Sequence, residues 1–252
     1  MISPKILWPA AILLVAAPLP AWASLTTFVG EDIVATPTSA HPNATSAAAS
    51  FDTAVAGLGG GSLVDFESAP LGSFSSLTIA PGVTLSGTDF FGHNQTIRNT
   101  TNFPPAPQLD GFNTTASGAN FVEVQGGTLT FTFSTAVDAF GAYFSGVQNF
   151  VNDVITFSDG TSQSLLIPNA GTSNSVGAVV FAGFTDPGKQ ISSITINAGN
   201  SGFDDIGVDD ARFASTTPGV PEPAAWALML LGFGGIGAAI RNRRASARAR
   251  LA

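Results

Sequence analysis

An alternation of apolar and polar residues with a period of two is the feature of this sequence that most constrains its fold. After residue 60 the chain divides into about ten short runs rich in β-branched and aromatic residues, which Gly, Pro, Asn and Asp separate. The clearest run is TLTFTF at residues 128–133, where Leu129, Phe131 and Phe133 alternate with threonines. Because successive side chains of a strand point to opposite faces, such runs predict β-strands with one buried face.

The order of these runs predicts the fold class. An Asp-Gly pair at residues 159–160, between two of the runs, favours a type I′ turn and hence a β-hairpin. Many short strands separated by turn residues are typical of an all-β protein, and we expect an antiparallel jelly-roll-like β-sandwich. A β-solenoid is the alternative fold, but it requires a repeat of fixed period, which the sequence lacks.

One short helix is predicted before the strands begin. In the Ala/Ser/Thr-rich segment 24–61, Phe51, Val55 and Leu58 lie at the i, i+4 and i+7 spacing of one helix face. Three consecutive glycines at residues 59–61 then end the helix, because glycine is unfavourable inside helices and favoured just after them.

The first residues carry the pattern of a secretory signal. Residues 1–23 contain one positive charge, Lys5, then an apolar stretch, and then the small residues Ala21 and Ala23. This order predicts a signal peptide that is cleaved after Ala23, with export through the Sec machinery. A permanent N-terminal membrane helix is the alternative, but the apolar stretch contains prolines and is shorter than the ~20 residues that a bilayer requires.

Charge is distributed unevenly along the chain. Between residues 24 and 220, sixteen acidic residues stand against only three basic ones, although the net charge of the whole chain is -8. Such an acidic body repels nucleic acid and anionic membrane surfaces, so neither is predicted as its partner. The chain has no cysteine, which excludes disulfides, thiol catalysis and cysteine metal sites.

The C-terminal end joins an apolar segment to a basic one. Residues 224–240 carry no charge, and ~17 residues at ~1.5 Å per residue just cover the apolar core of a bilayer. Five arginines follow within residues 241–252. Because basic residues stay in the cytoplasm, we expect a transmembrane helix with the body outside and an Arg-rich cytoplasmic tail inside.

A proline-rich tripeptide precedes the apolar segment: Pro221, Glu222 and Pro223, with Trp226 shortly after it. Together with the apolar segment and the arginines, these residues closely resemble the PEP-CTERM sorting signal of Gram-negative bacteria, in its PEPxxWA form. The resemblance implies processing by an exosortase-type enzyme near the tripeptide. It also implies a transient inner-membrane anchor with the body in the periplasm, followed by transfer to the cell surface or extracellular matrix.

These signals divide the chain into six segments, so that an all-β domain is flanked by two targeting regions. The segments are a signal peptide (1–23), a lead-in with a short helix (24–61), a β-sandwich domain (62–215), a linker with the Pro-Glu-Pro motif (216–223), a transmembrane helix (224–240) and the Arg-rich tail (241–252).

Acidic residues at the two ends of the sandwich point to a cation site. VDFE at residues 64–67 and GVDDARF at residues 207–213 resemble the ends of galactose-binding-like jelly rolls, where such acids hold a structural calcium ion. Hard cations prefer carboxylate oxygens. If the first and last strands lie side by side, we predict a structural calcium at Glu67, Asp209 and Asp210. The alternative is that these are solvated acids at strand ends.

Carbohydrate binding, to exopolysaccharide for example, follows from that resemblance and from a matrix destination. The body has no tryptophan and one tyrosine, and its phenylalanines are expected in the core rather than on a sugar-binding surface. Polar recognition would then depend on amides in a predicted long loop over residues 91–120. These amides are Asn94, Gln95, Asn99 and Asn113.

Catalysis is not predicted, and calcium is the one cofactor considered. The two histidines, His41 and His93, have no spacing typical of a catalytic triad or a metal site. Glycoside hydrolysis needs two carboxyl groups ~5–9.5 Å apart, and the adjacent Asp209 and Asp210 are expected to point to opposite faces of their strand. Ice binding would need threonine rows on several strands, and TLTFTF occurs once.

The sequence therefore predicts a non-catalytic structural protein of the cell surface or of the extracellular exopolysaccharide (biofilm) matrix. The alternative is a carbohydrate-binding module, in its calcium-dependent or calcium-independent form.

Overall fold

The computed structural model describes residues 25–100, 109–148, 154–158, 163–168, 176–189, 191–199, 205–215, 229–237 and 241. Within them the chain forms a 16-residue helix, fourteen β-strands and a further helical segment at residues 229–237. In chain order the elements are β1 (Thr26–Val34), α1 (Pro42–Gly57), β2 (Ser62–Val64), β3 (Gly72–Ser73), β4 (Leu77–Ala80), β5 (Val83–Thr88), β6 (Thr96–Arg98), β7 (Phe121–Gln125), β8 (Thr128–Val137), β9 (Ala139–Val147), β10 (Val154–Ser158), β11 (Gln163–Leu166), β12 (Gly177–Thr185), β13 (Ile191–Asn197) and β14 (Asp205–Ala214).

The described strands pair antiparallel and form two sheets. The larger sheet has the order β1-β12-β9-β14-β7-β6-β3, with β2 also paired to β14, and the smaller sheet has the order β11-β10-β13-β8-β5-β4. Neither sheet is closed. The all-β antiparallel sandwich is therefore confirmed, and β10 and β11 pair as the predicted hairpin requires.

The main hydrophobic core lies between the two sheets. On β8, Leu129, Phe131 and Phe133 are buried whereas Thr132 is exposed, as the period of two predicts. The Phe131 ring meets Phe140 of the larger sheet edge to face, with the ring centroids 5.1 Å apart. Side chains from both sheets thus pack against each other, and burying each large apolar one is worth about 1.5–3 kcal/mol relative to exposure.

Helix α1 covers the outer face of the larger sheet and makes a third layer. Phe51 and Val55 are buried as predicted, and the Phe51 ring packs on Phe181 of β12 with the centroids 5.6 Å apart. The helix approaches β1 so closely that a Cβ at Gly30 would lie 2.2 Å from the Asn43 carbonyl oxygen. Glycine in the middle of β1 therefore permits this packing.

Asp32 of β1 fixes the start of that helix. Its carboxylate accepts hydrogen bonds from the Ala44 backbone N–H at 2.8 Å and from the Asn43 side chain at 2.9 Å. The first N–H groups of a helix lack partners within it, so a carboxylate there satisfies a donor and complements the helix dipole. Both β1 and α1 lie in the predicted lead-in 24–61, so the larger sheet begins before residue 62.

The terminal segments lie mostly outside the described residues. This holds for the predicted signal peptide, with Ala21 and Ala23, for the whole linker 216–223 and for the Arg-rich tail except residue 241. Residues 229–237, inside the predicted transmembrane helix 224–240, are helical and exposed. In the part of the chain that the structure describes, no helix has both the length and the apolar character needed to cross a membrane. The transmembrane helix stays a prediction.

Candidate functional site

The three predicted calcium ligands all contact one loop. The first and last strands of the predicted sandwich do lie side by side, because β2 pairs antiparallel with β14. Glu67 follows β2, and Asp209 and Asp210 lie on β14. All three carboxylates accept hydrogen bonds from the loop at residues 113–120, which we call the anchored loop.

Glu67 holds the far end of the anchored loop. Its carboxylate accepts hydrogen bonds from the backbone N–H groups of Ala119 and Asn120, at 2.9 and 3.0 Å. The side-chain amide of Asn113 donates to the same carboxylate at 3.0 Å. One glutamate thus accepts hydrogen bonds from both ends of the anchored loop.

Asp209 and Asp210 hold the near end through a β-bulge. The register of β14 shifts after Asp209, and Asp210 has a φ angle of 47°. The Thr114 backbone N–H donates to Asp209 at 2.7 Å. The Thr115 hydroxyl donates to Asp210 at 2.8 Å. The expectation that the two aspartates point to opposite faces is therefore wrong, because the bulge interrupts the alternation of the strand.

Burial disfavours ionisation of both aspartates. Asp209 is fully buried, and burial raises the pKa of Asp209 to about 6, against the lowering effect of the Thr114 N–H. Burial likewise raises the pKa of Asp210, against the hydrogen bond from Thr115 and the charge of Arg212. The hydrogen bonds from the loop therefore offset only part of the cost of placing two carboxylates here.

Calcium at this place would have to displace hydrogen bonds. The carboxylates of Glu67, Asp209 and Asp210 accept from N–H and O–H groups, whereas calcium takes about six to eight oxygen ligands. Among the described residues, no three acidic or histidine side chains are arranged to hold a metal ion. The present geometry is that of a loop anchor, and a structural calcium at these three residues stays a prediction.

A second acidic group, which the sequence pattern does not reveal, lies on the same face of the larger sheet as α1. Asp110, Glu123 and Asp205 come together there beside Arg98, which forms an ion pair with Glu123. Burial raises the pKa of Asp205 to about 7, and the charges of Glu123 and Asp110 act in the same direction. Burial also raises the pKa of Asp110 to about 6, against the charge of Arg98.

An exposed aromatic pair lies in the turn between β5 and β6. Phe90 is 48% exposed and Phe91 is 60% exposed, with their ring centroids 5.2 Å apart and their planes at 80°. The expectation that the phenylalanines of the body lie in the core is wrong for this pair. The flanking Asp89 and Gly92 are turn-forming residues, and they are the sequence signal that could have identified it.

The four amides predicted for sugar recognition serve different roles. Gln95 is buried, and its side chain donates to backbone carbonyls that include that of Thr88 at 2.9 Å. Asn113 belongs to the anchored loop. Asn94 and Asn99 are exposed, and Asn94 is close in sequence to the aromatic pair.

Comparison with protein families identifies the C-terminal end of the chain. Residues 219–244 match the model of the PEP-CTERM protein-sorting motif, which confirms the resemblance seen in the sequence. The matched range contains Pro221, Glu222, Pro223 and Trp226, which lie outside the described residues. The motif implies export of the chain and membrane-associated sorting. A search of curated proteins finds no match.

Several solved structures are similar to the fold at low identity. One is the catalytic domain of a GH87 alpha-1,3-glucanase in complex with nigerose, with 16% identity, a TM-score of 0.34, and coverage of 65% of this chain and 29% of that one. Another is the K2 cleaved adhesin domain of Lys-gingipain, with 14% identity, a TM-score of 0.40, and coverage of 61% and 97%. A family 29 carbohydrate-binding module has 12% identity, a TM-score of 0.31, and coverage of 64% and 98%. At these TM-scores the similarities assign neither an activity nor a ligand to this chain.

Proposed function

We propose that this exported chain is a non-catalytic structural protein of the bacterial cell surface or extracellular matrix, delivered there by its PEP-CTERM motif. The observation that carries the proposal is the motif at residues 219–244, which closely follows a two-sheet body. The motif implies handling by exosortase-type sorting machinery. The sandwich supplies a compact domain for display.

The carboxylates of Glu67, Asp209 and Asp210 accept hydrogen bonds from the anchored loop. The Asp209 carboxylate is fully buried and bonded to loop N–H groups. Two cavities of about 380 and 250 Å³ beside the glycine turn after α1 have neither Glu67 nor Asp209 in their walls. Glycoside hydrolysis requires two carboxyl groups across an open cleft, so this arrangement favours a role without turnover.

The contacts of the two histidines support the same proposal. His93 Nδ1 lies 3.1 Å from Asp89 Oδ2, and His41 Nδ1 lies 3.2 Å from the Ser39 carbonyl oxygen. Within the described ranges neither imidazole is hydrogen-bonded to a serine or threonine hydroxyl, as an acyl-transfer triad would need.

The intact mass of the protein recovered from the native cell surface and growth medium tests this proposal. The expected species begins at Ser24 and ends near Glu222, with or without the mass of an attached group. The variant Glu222→Ala should keep the C-terminal tail and stay with the membrane fraction. Pro218→Ala, which changes a proline just before the matched range, is the control and should be processed normally.

Two results would contradict the proposal. A wild-type species that still ends at Ala252 would indicate a permanent membrane anchor instead of a sorted surface component. Release of reducing sugar from polysaccharide by the purified chain, lost in a Glu67→Gln and Asp209→Asn double variant that still folds, would refute its non-catalytic character.

A carbohydrate-binding role is the second candidate. The observation that favours it is the exposed aromatic pair Phe90 and Phe91, because exposed rings next to polar groups are typical of ligand-binding surfaces. Retention of the protein on a polysaccharide would separate this role from a purely structural one.

A further inference from the structure

The turn between β5 and β6 presents aromatic surface that the fold does not use. Among the phenylalanines of the sandwich whose side chains the structure describes, Phe90 and Phe91 are the exposed ones. Their rings stand nearly perpendicular to each other. Large apolar side chains that stay in water forgo the stabilisation that burial gives, so a contiguous exposed pair of this kind is a candidate interaction surface.

The backbone of this turn is fixed by hydrogen bonds on both sides. The Asp89 carboxylate accepts from the N–H groups of Phe91 and His93, at 2.8 and 2.7 Å. The Phe90 N–H donates to the Gln125 carbonyl oxygen of β7 at 3.0 Å, which ties the turn to the larger sheet. The backbone that carries the two rings is therefore fixed before any ligand arrives, which lowers the conformational entropy that binding would cost.

Polar groups lie directly beside the rings. The His93 side chain is 77% exposed, and its ring centroid lies 6.3 Å from that of Phe91. Its Nδ1 atom faces Asp89 at 3.1 Å, so Nε2 is the ring atom left to bond a ligand. Asn94 follows, also exposed. The surface thus combines apolar ring faces with hydrogen-bonding groups.

A ligand that fits this surface must itself be amphipathic. A pyranose ring has a C–H face that can stack on an aromatic ring and a hydroxyl edge that can bond an imidazole or amide. The body carries sixteen acidic residues against three basic ones, so it repels anionic polysaccharides and anionic lipid. From this combination we infer that Phe90, Phe91 and His93 form a contact site for a neutral polysaccharide, an inference that rests on the proposed matrix location.

Affinity electrophoresis of the full chain, kept soluble in a detergent without sugar groups, tests the site. Native gels contain dextran, a mixed-linkage β-glucan, galactomannan or, as the acidic probe, alginate. We expect at least one neutral polysaccharide to retard the wild-type chain. The Phe90→Ser and Phe91→Ser double variant should bind at least about tenfold more weakly, as expected for loss of central aromatic contacts. Leu63→Ser, at a side chain that is 57% exposed on β2, is the matched control and should bind normally.

The readouts distinguish the alternatives, provided that the double variant and wild type have matching thermal unfolding curves. Absence of retardation in every neutral gel, or equal retardation of wild type and double variant, would overturn the inference. Retardation by alginate alone would overturn its neutral character. A larger wild-type species in size-exclusion chromatography, lost in the double variant, would assign the rings to self-association instead. Because none of these results alters processing at the C-terminal motif, failure of the site and failure of the proposed function are separable.

Discussion

Replacing Asp205 by Asn is expected to stabilise the fold at pH 8 and to change little at pH 4. Burial raises the pKa of Asp205 to about 7, and Glu123 and Asp110 reinforce the shift. The folded state therefore holds this proton more tightly than the unfolded chain does. The protonated Asp205 side chain therefore contributes favourably to the free energy of unfolding. This contribution is complete below the ordinary pKa of 3.8 and is lost as the pH rises through about 7. Asparagine imitates the protonated side chain at every pH.

The size of the effect follows from the displacement of the pKa. A change from 3.8 to about 7 corresponds to about 4 kcal/mol of differential interaction between the two protonation states. Asp205 keeps part of its surface in water, which weakens the effect, so we expect about 2 kcal/mol between pH 4 and pH 8. For a domain of this size, a gain of about 2 kcal/mol at pH 8 raises the melting temperature of the variant by about 4–8 °C.

Urea unfolding of the full chain at pH 4, 6 and 8 measures this difference. The half-exposed Asp52, which forms an ion pair with Arg212, provides the control variant Asp52→Asn, expected to change the free energy of unfolding by less than about 1 kcal/mol at each pH. The reasoning is refuted if Asp205→Asn is no more stable than wild type at pH 8, or if its advantage does not grow from pH 4 to pH 8.

Three further predictions concern the anchored loop and the packing of α1. A structural calcium at Glu67, Asp209 and Asp210 predicts that millimolar calcium raises the melting temperature and that Asp209→Asn abolishes the rise; identical melting curves in calcium and in chelator would contradict it. Asp32→Ala removes the acceptor for the first turn of α1 and should lower the free energy of unfolding by about 1 kcal/mol in urea titrations. An unchanged urea midpoint would show that the Asp32 carboxylate is dispensable for the helix. Gly30→Ala places a Cβ against the Asn43 carbonyl oxygen and should lower the free energy of unfolding by about 1–3 kcal/mol in the same urea titrations. Gly57→Ala is the control, because a Cβ there meets open space, and it should be tolerated.

The elements that sequence predicts are those with a strong local period. TLTFTF in β8 shows its buried and exposed faces directly, and Phe51 with Val55 shows the buried face of α1. The sequence does not predict strand β6, which lies inside the predicted long loop. The strand is three residues long and buries only Ile97, so it is too short to show a period of two.

The parts of the candidate site that sequence misses depend on contacts between distant residues. Asp110 and Asp205 are far apart in the chain. The pairing of β7 with β14 brings Glu123 close to Asp205, and the hydrogen bond from the Gly111 N–H to the Asp205 carbonyl oxygen brings Asp110 to the same place. The bulge at Asp210 arises from the register of β14 against β9, so adjacent-residue rules cannot predict it. Phe90 and Phe91 have the composition of core residues, and their exposure depends on how Asp89 folds the turn.

The position of β14 has a mechanical consequence. The C-terminal motif closely follows this strand, so in the proposed surface-attached form tension between the body and its attachment enters the domain through β14. β14 pairs with β9 on one side and with β7 and β2 on the other. Tension along such a central strand has to shear hydrogen bonds to both neighbours together, whereas an edge strand such as β1 separates from one neighbour only. Drag from flowing water on a body held by this end therefore acts on a central strand of the larger sheet.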